Sequence, residues 1–121
     1  MLSTARAYRG AAVRSFSSAA PVATPVLLLK YKYVEGMLEK REPHRAAHLK
    51  HAAGSTGRGE ILIGGALADP VDEGLLVFKG SVGIAGVEDF AKVDPYVTNK
   101  LVEEWSVRPW NIVVGNERVE G

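Results

Sequence analysis

Apolar and polar positions along the chain follow two periods, and the switches between them mark the elements. Val26 to Val34 reads Val-Leu-Leu-Leu-Lys-Tyr-Lys-Tyr-Val, a β-compatible run taken as the first strand. A period of two puts Leu27, Leu29, Tyr31 and Tyr33 on one face and Val26, Leu28, Lys30 and Lys32 on the other. A polar passage, Leu38-Glu39-Lys40-Arg41, leads to Pro43, which suits a first helical turn because its missing N–H would be unpaired there. The first helix is predicted from about Glu42 to Ala53, ending at Gly54 or shortly after. Gly57 and Gly59 mark a turn before the second strand, Glu60 to Leu67, whose Gly64-Gly65 pair signals a bulge or a close approach. Asp69-Pro70 and Asp72-Glu73-Gly74 form turns, and Leu75 to Gly80 is the third strand. From about Gly86, Val87, Phe90 and Ala91 recur at helical spacing until Pro95 biases Asp94 out of helical geometry. Tyr96 to Leu101 adds a short turn. Glu103 to Val114, with Trp105, Val107, Trp110 and Ile112, is the fourth strand.

The order is β-α-β-β-α-β, an α+β chain of ferredoxin-like type with a four-stranded antiparallel sheet and two helices on one face. Strands one and four read as apolar on both sides. A two-layer domain cannot bury both, so a second copy of the chain is expected on the open face and a homodimer is predicted. Trp105 and Trp110 are read as core or dimer packing.

Composition narrows the classes. The 121 residues are 46% apolar and 24% charged, as in one ordinary globular domain. No run approaches the roughly 20 apolar residues of a bilayer span, so no membrane partner is expected. With no cysteine, disulfides, thiolate metal sites and cysteine nucleophiles are excluded. Residues 1–34 contain no acid, and Arg6, Arg9 and Arg14 lie among Ala and Ser. That is the composition of a mitochondrial transit peptide, with a plastid address as the alternative. The chain is therefore divided into a disordered leader at 1–23, a domain at 24–115 and a polar tail at 116–121. Without the leader, 12 basic and 14 acidic residues give a formal charge of −2, which does not favour nucleic acid.

All three histidines, His44, His48 and His51, fall within eight residues. At about 100° per residue they share one side of the first helix. Imidazole exchanges protons near neutral pH and also ligates metals. Measured around the helix from His44, Leu49 lies at about 140°, Ala53 at about 180° and Ala46 at about 200°, a stripe taken as the packing face. His48, at about 40°, is then at its edge beside Arg45, whereas His44 and His51 face solvent. A zinc site would need a companion ligand that the sequence does not offer, so no metal and no cofactor are expected. Gly64-Gly65 lacks the Gly-Lys-Ser/Thr that would make a phosphate loop.

Leu38-Glu39-Lys40-Arg41, Arg45-x-x-His48-Leu49, Gly64-Gly65-Ala66-Leu67-Ala68-Asp69-Pro70, Asp94-Pro95-Tyr96-Val97 and Arg108-Pro109-Trp110 occur in the order seen in YciI-like (YCII-related) proteins, which the chain resembles over about residues 27–115. The resemblance implies a dimeric α+β barrel of ferredoxin-like topology, related in fold to muconolactone isomerase. It also implies a His/Asp active site, and one branch of the family is similar to a dehydrochlorinase of chlorinated hydroxyhydroquinone breakdown. Carried over, the histidine is His48, with Arg45 one turn earlier. The best-matched aspartate is Asp94, with Asp69 the second choice. Many members have an acid between the tyrosines of strand one, where this chain has Lys32.

Two main functions follow, with a metal-binding module built on His44, His48 and His51 as a third. One is a small cofactor-independent lyase, isomerase or dehydrochlorinase-like enzyme, with His48 and Asp94 catalytic and Arg45 and Asp69 binding a small molecule. The other is a non-catalytic ligand-binding or accessory dimer on the same scaffold. Residue by residue, the plainer readings are that Asp94 caps a helix, that Arg45 is a surface ion pair, and that Tyr31, Tyr33 and Tyr96 pack against the sheet, the default over lining a pocket.

Overall fold

The computed structural model of the protein describes residues 25–115. The expectations for residues 1–23 and 116–121 lie outside them. The elements are β1 (Val26–Tyr33), α1 (Met37–Lys40), α2 (Glu42–Gly57), β2 (Ile61–Ala66), β3 (Glu73–Phe78), α3 (Gly83–Lys92), α4 (Pro95–Thr98) and β4 (Val102–Trp110). The strands lie in the order β2-β3-β1-β4, and every neighbouring pair is antiparallel. This is the ferredoxin-like arrangement that the element order predicts.

The period-two reading of β1 holds. Leu27, Leu29, Tyr31 and Tyr33 are buried with Leu76 and Phe78 of β3 and with Val87, Phe90, Ala91, Met37 and Tyr96 from the helical layer. Pairing of Tyr31 with Gly74 and with Trp105 places the Tyr31 ring at the centre of the helix-facing side. Trp105 is half-buried against this core. Tyr33 leans across Gly74, where any Cβ would collide with the Tyr33 hydroxyl. The missing side chain is thus what lets Tyr33 reach toward the helices.

Several boundaries differ from the sequence reading. The Leu38–Arg41 passage contains a four-residue helix, α1, pinned by the buried Met37. α2 runs through Gly54 to Gly57, because Gly54 has no positive φ; the first left-handed residue is Gly59, at φ 77°. There Ser55 donates to Glu60 Oε1 at 2.9 Å and the Glu60 N–H returns to the Ser55 carbonyl at 3.0 Å. α3 begins at Gly83, three residues before the predicted start. β4 stops at Trp110, leaving Ile112 to Val114 outside the strand.

The outer sheet face is also less apolar than expected. Register puts Leu28, Arg108 and Val77 in one row, Lys30, Ser106 and Leu75 in the next, and Lys32, Glu104 and Glu73 in the third. Half of that face is therefore polar. Its ion pairs, Lys30–Glu73 at 3.5 Å and Lys32–Glu103 at 3.5 Å, are exposed and contribute little. The part toward Trp110 is apolar apart from Arg108, with a hollow of about 510 Å³ walled in part by Leu28, Leu67, Leu75 and Trp110.

Candidate functional site

Pro95 forces Asp94 into extended geometry, φ −64° and ψ 128°, and so makes it the N-cap of α4. Its Oδ1 accepts the Tyr96 N–H at 2.9 Å. The same carboxylate is fully buried and takes two further donors. The Tyr31 hydroxyl donates to Oδ2 at 2.7 Å, and His48 Nδ1 lies 2.8 Å from Oδ1. Three donors offset the cost of enclosing a carboxylate. The capping role and the histidine pairing, posed as alternatives, are thus combined in one residue.

His48 reaches Asp94 from α2. Its ring stacks on Tyr96 at 3.7 Å between centroids and 6° between planes, so one neighbour fixes the plane and another fixes Nδ1. An imidazole whose Nδ1–H is given to a carboxylate keeps Nε2 as the working nitrogen. The side chain is 12% exposed and borders a cavity of about 210 Å³. Arg41, Arg45, Tyr33 and Tyr96 line the polar part of that cavity; Ala52, Ile61 and Leu76 line the apolar part. Gly64, Gly65 and Ala66 form the wall at the β2 edge, consistent with the close approach inferred from the paired glycines.

The phenols are held in their protonated, donating form. Burial, followed by the negative charge and hydrogen bond of Asp94, raises the Tyr31 pKa far above the ordinary value of 10.0. Burial pushes Tyr33 up to about 12, against the opposing pull of the Arg41 and Arg45 charges. Burial also raises Tyr96, opposed first by the charge of Arg45 and then by that of Arg41.

The orientation of α2 is the reverse of the one inferred from its apolar residues. Arg41, His44, Arg45, His48, His51 and Ala52 are half-buried and Ser55 is fully buried, whereas Ala46, Leu49 and Ala53 are exposed. The helix turns its polar side inward because that side meets hydrogen-bonding partners. His51 accordingly is not solvent-facing: Nε2 lies 3.0 Å from the Phe90 carbonyl, and its ring stacks on Phe90 at 4.1 Å. Among the described residues, no group of three or more His, Asp or Glu side chains is placed to hold a metal ion.

The structure brings His48, Asp94 and Arg45 together. Asp69 is exposed in the β2–β3 connection and does not line this cavity. Lys32 lies on the outer sheet face with Glu103 and Glu104, so the departure at that position leaves the His48 site untouched. Tyr31, Tyr33, Tyr96 and Arg41 are the site residues that sequence reasoning does not assign. Their signals are present in the chain: the Tyr-x-Tyr alternation on the helix-facing side of β1, and Tyr96 within the same Asp-Pro-Tyr motif as Asp94.

No described helix is long and apolar enough to cross a membrane. No curated protein matches the chain in sequence. Among solved structures, the chain is similar to a 5-chloro-2-hydroxyhydroquinone dehydrochlorinase from Burkholderia phenoliruptrix AC1100, in complex with 2,5-dihydroxybenzoquinone. The TM-score is 0.60 at 22% identity, covering 70% of this chain and 92% of that one, a likeness of fold. The model of the YCII-related domain matches residues 25–111, nearly the whole described region. The chain belongs to the YCII-related domain family.

Proposed function

We propose that the protein is a small enzyme of lyase or isomerase type in which His48 transfers a proton to and from a small molecule bound in the 210 Å³ cavity. The observation that carries this reading is the 2.8 Å contact between His48 Nδ1 and the buried Asp94 carboxylate. It leaves Nε2 as the nitrogen available to a ligand. Nε2 takes a proton from a carbon next to a carbonyl, and the electron pair of the broken C–H bond moves into an enolate. Asp94 stabilises the resulting imidazolium. Return of the proton at a neighbouring carbon completes an isomerisation; departure of a leaving group with its bonding pair, chloride for example, completes an elimination. Arg45, one turn before His48, holds the developing oxyanion. The chemistry of the structural neighbour, a dehydrochlorinase, supports testing the elimination first.

The test is a turnover screen of wild type against His48→Ala, with 5-chloro-2-hydroxyhydroquinone among the substrates. Positioned acid–base catalysis contributes roughly 10²–10⁴ in rate, so the variant should lose about that factor on any substrate turned over. Equal rates for the two proteins would rule the assignment out and favour a ligand-binding role.

The working unit in this reading is a homodimer joined through the apolar half of the outer sheet face, where Ile63 is 56% and Trp110 47% exposed. Sedimentation should show a dimer for wild type and a monomer for Trp110→Glu; a monomeric wild type contradicts it. Residues 1–23 are proposed as a mitochondrial address. A reporter fused to them should enter mitochondria, and a cytosolic reporter would contradict that.

A further inference from the structure

Two buried polar atoms belong to side chains that line the His48 cavity and have no explained purpose. Arg41 Nε and the Tyr96 hydroxyl are both enclosed and find no partner of good hydrogen-bond geometry among the described residues, the Arg45 guanidinium lying beside the hydroxyl. Tyr96 is only 2% exposed. Both side chains line the cavity, and so does Arg45. Leaving a buried polar group unpaired costs roughly 1–3 kcal/mol, and more for a charged one. A chain that tolerates two of them at one corner is built for something that pairs with both.

The corner also has one sign. Arg41 and Arg45 are i and i+4 across the start of α2, and both guanidinium charges act on the Tyr96 phenol. Among the described residues, no Asp or Glu lines the cavity. The nearby Asp94 carboxylate is already matched by Tyr31, His48 and the Tyr96 N–H. The lining thus combines the donor-bearing side chains Arg41, Arg45 and Tyr96 with the apolar Ala52, Ile61 and Leu76. A guanidinium fork matches a planar carboxylate, whose two oxygens accept several donors at once. The cavity is smaller than the roughly 300–1,000 Å³ of drug-sized sites, which favours a compact ligand no larger than a single ring.

We infer that Arg41 and the Tyr96 hydroxyl form a carboxylate-binding subsite beside Arg45, and that the ligand of the His48 cavity is a small organic acid with an apolar body. The inference rests on this cavity being the ligand site, as in the proposed function, but not on His48 being catalytic. Tyr96 would then have two uses: its ring face supports His48 and its hydroxyl fixes the acid group beside Nε2.

The test is calorimetric binding of two acids of different shape, benzoate and crotonate, each against its neutral amide. At least one acid should bind about tenfold or more tightly than its amide, as charged hydrogen bonds contribute. Arg41→Gln and Tyr96→Phe should each remove about tenfold of that preference. Tyr96→Phe keeps the ring and the stack, so it remains informative if Arg41→Gln fails to fold. Acids binding no better than their amides would overturn the inference, and so would a preference unchanged in Tyr96→Phe. Acid-selective binding together with unaltered turnover in His48→Ala would contradict the catalytic reading alone. Lost turnover in His48→Ala with no acid preference would contradict this inference alone.

Discussion

Asp94 shows how much one residue can organise when its surroundings leave it no freedom. Pro95 sets its backbone, the Tyr96 N–H occupies one oxygen and the Tyr31 hydroxyl the other. His48 is therefore presented with a carboxylate that cannot turn away. Tyr31 is the least replaceable part of this, since it crosses 63 residues of sequence to supply its hydrogen bond. Tyr31→Phe keeps the packing but removes one of three donors from a buried carboxylate. It should cost about 1.5–3 kcal/mol in chemical denaturation, the range for a hydrogen bond to a charged group. A loss below about 0.5 kcal/mol would mean that Asp94 does not depend on that donor. The Asp-Pro-Tyr motif makes Asp94 legible as a cap and, through the resemblance, as a site residue. That one carboxylate both caps α4 and pairs with His48 is not legible, because the partners Tyr31 and His48 meet it only through the tertiary fold.

At the scale of elements, α2 carries the clearest lesson. Sequence reading underestimates its length because glycine signals a stop, yet Gly54 is helical and its hypothetical Cβ would meet only Arg58 Nη1, at an ordinary 3.5 Å. Gly54→Ala is therefore predicted to stabilise the protein by roughly 0.4–1 kcal/mol, by lowering the entropy of the unfolded chain. A fall in the midpoint of denaturation would show that the glycine is needed. The face that α2 buries is also not the one its sequence suggests. Periodicity weighs apolar residues, and those of this helix, Leu49 among them, are not gathered on the inward side. Its inward residues are arginine, histidine, alanine and serine, which bury well only where Asp94 and the Phe90 carbonyl wait for them. The strands contrast with this: in β1 the alternation of Leu and Tyr with Lys is sufficient to assign each face, because a period of two leaves little choice. Strand four ends at Trp110, opposite Val26 at the start of β1, and among the described residues Ile112 to Val114 have no strand partner.

Across the whole molecule, two buried phenols make stability depend on alkaline pH. Tyr31 and Tyr33 hold their protons more tightly when folded than in an unfolded chain, where tyrosine titrates near 10.0. Their contribution is fully present below that value and is lost as pH rises through the folded values, about 12 for Tyr33 and higher for Tyr31. Denaturation midpoints should be level up to about pH 9 and fall steadily between about pH 10 and 12. A flat profile over that range would show the two rings to be more accessible than the fold implies. The same fold assembles the site: β1 brings Tyr31, α2 brings His48 and Arg45, and the α3–α4 junction brings Asp94, so the arrangement exists only in the folded chain. The central claim is that Asp94 holds the Nδ1 proton of His48 and leaves Nε2 open to the cavity. The most direct measurement is the nitrogen-15 NMR spectrum of the His48 ring in the folded, neutral-histidine state. A protonated Nδ1 and an unprotonated Nε2 are predicted; a proton found on Nε2, with Nδ1 bare against Asp94, would contradict the claim.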